Sequence, residues 1–244
     1  MKKSHIVYKL VAAVMLAAMV SCSTTESPTS RSIPRFDRAE IEQNMEMAQA
    51  GDAMAQVYMG LCYSDGIGVQ RDYKKAVEWF QKSANQGDAR GLFNLGYCYE
   101  RGNGVPKDYK KAVALYQKAA VQGFPTAQYC LGECYYDGKG VQQNYTKAVE
   151  WYQKAAVQGF DRAVNCLGLC YEDGKGVQQD YEKAVEWYQK GADSEDPYSQ
   201  YNLGRCYERG RGVQKDINQA IEWYRKASQL GHPSASDALK RLER

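Results

Sequence analysis

The stretch from Gly123 to Gln158, GFPTAQYCLGECYYDGKGVQQNYTKAVEWYQKAAVQ, decides the fold. Its apolar residues recur at helical spacing in two blocks. Ala127, Leu131, Cys134 and Tyr135 share one arc and predict a helix A of about 12 residues. Ala148, Val149, Trp151, Tyr152 and Ala155 share another and predict a helix B of similar length. The same lettering returns along the chain. Cys62, Cys98, Cys134, Cys170 and Cys206 stand 36 residues apart, and units open at Gly51, Gly87, Gly123, Gly159 and Glu195, giving five copies to Leu230. Self-similarity at such a period marks a repeat array, in which each unit buries its apolar faces only against its neighbours. It points toward binding rather than chemistry.

The punctuation agrees. Asp72, Asp108, Asn144, Asp180 and Asp216 sit where helix B needs an N-cap acceptor, and Asp52, Asp88 and Asp196 do the same for helix A. Pro125, Pro197 and Pro233 fall in the first turn of helix A, where no N–H is missed. The glycine opening each unit suits a left-handed residue after helix B, so Glu195 predicts a different angle at the junction of the fourth and fifth copies. Gly60, Gly96, Gly132, Gly168 and Gly204 lie inside helix A, where each costs about 1 kcal/mol relative to alanine. A cost repeated in every copy implies close approach of helix B, with Trp79 or Tyr152 on its inner face. Turns such as Asp173-Gly174-Lys175-Gly176-Val177 superficially look like phosphate loops, but they follow a helix rather than a strand. They read as tight helix-to-helix turns with the valine buried.

Across the copies runs a small residue, then Leu-Gly-x-x-Tyr-x-x-Gly-x-Gly-Val, Asp-Tyr-x-x-Ala and Trp-Tyr-x-Lys-Ala. In this the chain resembles the Sel-one-like repeat (SLR) family, a relative of the tetratricopeptide repeat, almost letter for letter from Gly51 to Leu230. The resemblance implies an all-α fold, an α/α superhelical solenoid whose helix A face lines a concave groove for a protein or peptide. Cysteine-rich members of the family carry disulfides joining helix A to helix B. Helix B here has no cysteine in any copy, so that staple cannot form.

The ends complete the domain plan. Met1-Lys2-Lys3, then Lys9, precede an apolar run from Leu10 to Val20 that is too short to span a bilayer. Met19-Val20-Ser21-Cys22 follows and resembles a bacterial lipobox, with methionine where leucine is usual. That implies a lipid on Cys22, a membrane partner through that lipid, and Ser23 in keeping with outer-membrane sorting. Ordinary secretory cleavage near Ser21, leaving Cys22 free, is the alternative. The expected segments are a signal peptide 1–21, a Ser/Thr/Pro-rich tether 22–35, an N-terminal capping helix 36–50, repeats 51–86, 87–122, 123–158, 159–194 and 195–230, and a C-terminal capping helix 231–244. Asp37-Arg38-Ala39-Glu40 starts the first cap as a capping box, and Lys240 replaces the packing glycine in the last. Localisation at the bacterial cell envelope follows, as an exported outer-membrane lipoprotein facing the periplasm or the surface. Beyond residue 21, 29 of the 32 basic residues remain against 29 acids. No basic stripe exists to meet phosphates, which argues against a nucleic-acid partner.

Chemistry finds little foothold. Cys130/Cys134 and Cys166/Cys170 could in principle hold zinc. Residues four apart on a helix, however, have Cβ atoms about 5–6 Å apart, beyond disulfide reach, and equivalent cysteines on successive A helices point the same way. Buried free thiols acting as small hydrophobes are expected, with no metal and no cofactor. Past the signal segment His232 is the only histidine, which excludes a histidine triad, and no serine has lysine three residues on. No catalytic residue and no small-molecule substrate are expected.

Binding has a better candidate. With helix A turning about 100° per residue, positions 54, 57, 61 and 64 of the first copy oppose the core arc of Ala55, Met59 and Cys62. These columns vary between copies while the core columns barely change. They supply a face of aromatic and charged residues: Arg90, Phe93 and Tyr97, then Tyr129, Glu133 and Tyr136, then Tyr198, Tyr201 and Arg205. Its aromatic members are expected to be exposed, and Tyr and Arg are frequent interface anchors. The reading is a non-catalytic scaffold binding a protein or peptide in the helix A groove. The alternatives are a peptidoglycan- or β-lactam-interacting protein with weak hydrolase activity, since some cysteine-rich relatives are credited with such activity, and a secreted host-interaction protein.

Overall fold

A computed structural model describes residues 38–243. The expected signal peptide, tether, Cys22 and Asp37 cap lie outside the described residues. The chain divides into two compact units between Lys107 and Asp108, inside the second copy. The N-terminal unit holds α1 (Arg38–Gln49), α2 (Ala53–Asp65), α3 (Tyr73–Asn85) and α4 (Ala89–Arg101). The C-terminal unit holds α5 (Tyr109–Val121), α6 (Pro125–Asp137), α7 (Tyr145–Ala156), α8 (Asp161–Asp173), α9 (Tyr181–Asp193), α10 (Pro197–Arg209), α11 (Ile217–Gln229) and α12 (Ala235–Leu242). No strand occurs among the described residues. Within each unit every helix packs on the one before it, the all-α solenoid class that the period implies. Helix A of the five copies is α2, α4, α6, α8 and α10, and helix B is α3, α5, α7, α9 and α11. No helix among the described residues is long and apolar enough to cross a membrane.

The caps form as expected. Asp72, Asp108, Asn144, Asp180 and Asp216 each accept a backbone N–H from the first turn of helix B. Asp52, Asp88 and Asp196 do so for helix A, and each such cap is worth about 1 kcal/mol. Pro125 and Pro197 open α6 and α10. Pro233 does not open α12. His232 accepts the Ser234 N–H on Nδ1 at 3.2 Å and the Ala235 N–H on its carbonyl at 3.3 Å, and this turn delays the helix to Ala235. Glu195 does not change the backbone of its junction. It takes φ 61°, the left-handed conformation that glycine holds at the other copies, because the helix B C-terminus requires it.

Three seams build each stack. Inside a copy, helix A lays its glycine on a helix B ring: Gly60 on Phe80, Gly132 on Tyr152, Gly168 on Tyr188 and Gly204 on Tyr224. A Cβ on Gly168 would enter the Tyr188 ring, which explains why the helix tolerates glycine there. Trp79 is therefore not the inner residue. Trp79, Trp151, Trp187 and Trp223 are half-buried one position earlier, under Lys82, Lys154, Lys190 and Lys226, with Nζ 3.9, 4.0, 4.2 and 4.0 Å from the ring centroids. Between copies, helix B meets the next helix A through small pairs. Ser83 faces Gly91 and Gly191 faces Ser199, whereas the equivalent pairs Ala155 with Ala163 and Ala227 with Ala235 are all alanine and fully buried. Where one partner gains a hydroxymethyl, the other has given up its methyl.

The third seam belongs to the Gly-x-Gly turns. The second glycine lies against the carbonyl of the first residue of the previous helix B: Gly104 on Tyr73, Gly140 on Tyr109, Gly176 on Tyr145 and Gly212 on Tyr181. At Gly176, φ is 76° and a Cβ would strike the Tyr145 carbonyl, so conformation and space both demand glycine. The valines that follow, Val69, Val105, Val141, Val177 and Val213, are half-buried rather than buried, because the glycine makes the close contact.

Candidate partner-binding face

In the N-terminal unit, the face positions of α2 are inside the fold: Val57 is fully buried and Leu61 nearly so. On α4, Arg90 folds back on the helix cap, with Nη2 2.7 Å from Asp88 Oδ2 and Nε 3.2 Å from Oδ1. Burial alone would raise the Asp88 carboxyl, but Arg90 and the backbone N–H groups of Arg90 and Gly91 outweigh it and hold it below the usual range. Phe93 and Tyr97 stack at 6.5 Å, with the Arg101 guanidinium 5.4 Å from the Tyr97 ring centroid.

The C-terminal unit carries a richer set on α6, α8 and α10. Tyr129 packs 5.2 Å from the Phe160 ring and 6.0 Å from Tyr152. Glu133 accepts the Tyr152 hydroxyl hydrogen bond, and Cys166 Sγ stands 4.0 Å from its Oε1. Burial raises the Glu133 carboxyl despite the hydroxyls it accepts from Tyr152 and Tyr129. Tyr136 accepts Lys175 Nζ at 2.8 Å and sets its ring edge-on to Tyr145 at 5.1 Å.

Glu172 has 6 % of its surface exposed, yet it gathers three donors: Tyr188 Oη at 2.8 Å, Arg205 Nη2 at 2.8 Å and Arg211 Nη1 at 3.2 Å. Arg205 also donates to Asn202 at 2.9 Å, and Asn202 donates to Asn165 at 2.8 Å. In the fifth copy Glu208 accepts Tyr224 at 2.6 Å and pairs with Arg241 at 2.8 Å. Tyr201 stacks on His232 at 4.1 Å and Tyr198 meets it edge-on at 5.0 Å, while burial lowers the His232 pKa.

The expected site residues thus divide. Tyr129, Glu133 and Tyr136 share α6, and Tyr198, Tyr201 and Arg205 share α10. The expectation of an exposed aromatic face is corrected. Phe93, Tyr97, Tyr129, Tyr136 and Tyr201 are half-buried, and Tyr198 alone of the six is exposed, at 40 %. The rings lean on neighbouring helices because aromatic area gains more from contact than from water. Sequence reasoning missed the pairing of a helix B phenol with a helix A carboxylate. Its signal was present: Phe80, with no hydroxyl, goes with Ser64, while Tyr188 and Tyr224 go with Glu172 and Glu208.

Cys62, Cys98, Cys134, Cys170 and Cys206 are buried thiols in no disulfide, and burial pushes Cys62, Cys98, Cys170 and Cys206 up to about 12. Cys130 and Cys166 are half-buried and likewise in no disulfide. Such thiols pack as small hydrophobes and make poor nucleophiles.

A model described as "Sel1 repeat" matches residues 53–88, 89–124, 125–160, 163–196 and 197–232. Among solved structures, a protective antigen of uropathogenic Escherichia coli strains displaying an SLR fold is 38% identical with a TM-score of 0.78, over 82% of this chain and 43% of that one. This chain therefore spans less than half the length of that protein. A Sel1 repeat protein from Oxalobacter formigenes is 34% identical with a TM-score of 0.75, over 83% of this chain and 84% of its own. A sel1 repeat protein from Klebsiella pneumoniae is 26% identical with a TM-score of 0.55. No curated protein matches the sequence.

Proposed function

This chain belongs to the Sel1 repeat family, and from that premise we propose that it is a non-catalytic scaffold holding a protein or peptide on its helix A face, anchored at the bacterial envelope through a lipid on Cys22. Sel1 repeats are commonly protein–protein interaction scaffolds. One observation carries the reading for this chain. The seam residues are conserved in size from copy to copy, while the helix A face of α6, α8 and α10 changes chemistry in each and is pre-set by its own hydrogen bonds. Side chains already fixed in place lose little entropy on meeting a partner. A catalytic reading lacks a group to carry it, because the histidine is packed between rings and the buried thiols are pushed away from the thiolate.

The test places a photo-crosslinking residue at Tyr136 or Tyr198 of the full chain in its bacterium, and at Gln153 on the exposed side of α7. Discrete adducts from the first two and none from Gln153 are expected. The reverse pattern would move binding to helix B. For the anchor, Cys22→Ala should leave the detergent phase on Triton partitioning, and unchanged partitioning removes the lipid from the reading. A host-facing role has one observation in its favour, the protective-antigen description of the 38% identical relative. Protease treatment of intact cells decides it, since a periplasmic chain survives and a surface chain is cut.

A further inference from the structure

Helix B of the second copy, α5, departs from the other four on its outward side. Lys110, Lys111, Ala114, Lys118 and Val121 are exposed there and share one face of the helix. At the position of Ala114 every other helix B carries an acid, Glu78, Glu150, Glu186 or Glu222. α5 therefore presents three lysines and no acidic residue. The next helix B, α7, continues the face with Lys147, Lys154 and Val157 around a single acid, Glu150. α9, by contrast, sets Glu182, Glu186 and Asp193 against two lysines. Val121 and Val157 stand 36 residues apart at 71 % and 79 % exposure, where the other copies have Asn85, Asp193 and Gln229. So exposed, they contribute little to the core of the stack. Half-buried Trp151, with the Lys154 ammonium 4.0 Å from its ring centroid, adds an indole to the same side. The even balance of charge along the whole chain conceals this local excess.

We propose that this face of α5 and α7 lies on an anionic lipid surface, the headgroup layer of the membrane in which the Cys22 lipid is set. The inference rests on that anchor. Sixteen residues lead from Cys22 to Arg38, and even fully extended they keep the start of α1 within about 55 Å of the bilayer. At such a range a weak attraction is enough to orient a body that is already held there. Charge complementarity selects anionic headgroups, since lysines on a helix without acids are drawn to phosphates within about a Debye length. Valine and indole enter the headgroup layer, while the long lysine stems keep their ammonium groups among the phosphates. Nucleic acid would offer phosphates but no apolar layer for the two valines, and a second copy docked face to face would set lysine against lysine. α5 and α7 meet helix A with their buried sides, so seating the opposite side on lipid leaves the helix A face open to a partner.

The full chain, purified from its membranes, is mixed with phosphatidylcholine vesicles with and without phosphatidylglycerol, each containing brominated lipid as a quencher. A fluorescent non-natural residue replaces Val121, or the exposed Asp237 of α12 as the control. Quenching at Val121 that requires the anionic lipid, fades in high salt and is absent at Asp237 is expected. Ala114→Glu gives α5 the acid that every other copy carries, and should weaken the association about fivefold, the loss expected for one charge at an anionic surface. Lys110→Glu with Lys118→Glu, both at exposed positions, should nearly abolish it. A Val121 probe left unquenched by anionic vesicles, quenched equally by neutral ones, or indifferent to Ala114→Glu overturns the inference. So does a probe that shifts to the blue with protein concentration before lipid is added, which would assign the face to a second copy. The anchor is read separately, by co-sedimentation with the neutral vesicles. A chain without the lipid stays in the supernatant there and can still be tested on the anionic ones, so the two readings fail separately.

Discussion

The third and fourth copies share their seams and differ in how each treats its helix A acid. Gly132 lies on Tyr152 and Gly168 on Tyr188 in the same manner. Yet Glu133 is surrounded by phenols and a thiol, while Glu172 draws two arginines onto one oxygen. The contrast teaches that the same ring-on-glycine packing accepts different chemistry on the face. The close contacts of the seams are made by glycine, alanine, serine and the ring carbons of Phe80 and the tyrosines, so the acid that takes a tyrosine hydroxyl can change position or partner while the ring keeps its place on glycine. Such independence is what lets one framework present different surfaces.

The largest blow to this picture comes from a seam. The junction of the third and fourth copies uses Ala155 with Ala163, and that of the fourth and fifth uses Gly191 with Ser199. A Cβ added at Gly191 would collide with Ser199, so Gly191→Ala should lose about 3 kcal/mol in urea denaturation. Ser199→Ala in the same chain should restore most of it by recreating the alanine pair, and it also removes the buried, unpartnered Ser199 hydroxyl. Independent losses that simply add would show that the two junctions are not interchangeable.

Next in size is the phenol. Tyr188→Phe removes a donor from the buried Glu172 while both arginines stay, and should cost about 2 kcal/mol with the helical circular dichroism unchanged. A loss well under that would mean that the arginines alone satisfy Glu172. Smaller again is Glu195→Gly. It relieves a left-handed residue at an exposed site and should gain about 1 kcal/mol, bringing this junction level with the glycine-opened ones. No gain would mean that Glu195 makes a compensating contact.

The subtlest effect is a slope. Burial raises the Glu133 carboxyl, so between the unfolded and folded values the folded chain holds a proton that the unfolded chain has released. Its contribution is present below the unfolded pKa and is lost as pH rises through the folded one. At Glu208 burial also pulls upward, but the Tyr224 hydroxyl and Arg241 outweigh it and lower the carboxyl. That contribution is present above the unfolded pKa and is lost as pH falls through the folded value. Stability measured from neutral to acid pH should therefore improve relative to Glu133→Gln and decline relative to Glu208→Gln. Parallel slopes would erase the distinction between the two acids.

Much of the molecule was legible in the letters. The spacing of Cys62 to Cys206 gave the period, the Asp and Asn caps opened helices where they stand, and the helix A glycines marked a close approach. The face was legible in position and not in exposure. Tyr129 falls on the predicted arc, but the sequence does not say that Phe160 of the following copy covers its ring. Trp151 and Tyr152 are adjacent letters, and about 100° of helix turn separates the ring that meets Gly132 from the one that lies under Lys154. Glu195 looked like a break because glycine is the usual left-handed residue, yet the helix end before it imposes that conformation on whatever side chain is present.

The sequence by itself determined what is local or periodic: the helix pairs, their caps, the turns and the family. Those depend on interactions within a few residues, or on a pattern repeated often enough to be unmistakable. Only the tertiary structure decided which side chains of different copies meet. Arg205 of the fifth copy reaches Glu172 of the fourth, while the Glu133 carboxylate of the third copy meets the Cys166 thiol of the fourth at 4.0 Å. The physical reason is that charge pairing across copies depends on distances of a few ångströms between residues 33 apart in sequence on successive A helices, and those distances are set by glycine and alanine seams that carry no charge themselves.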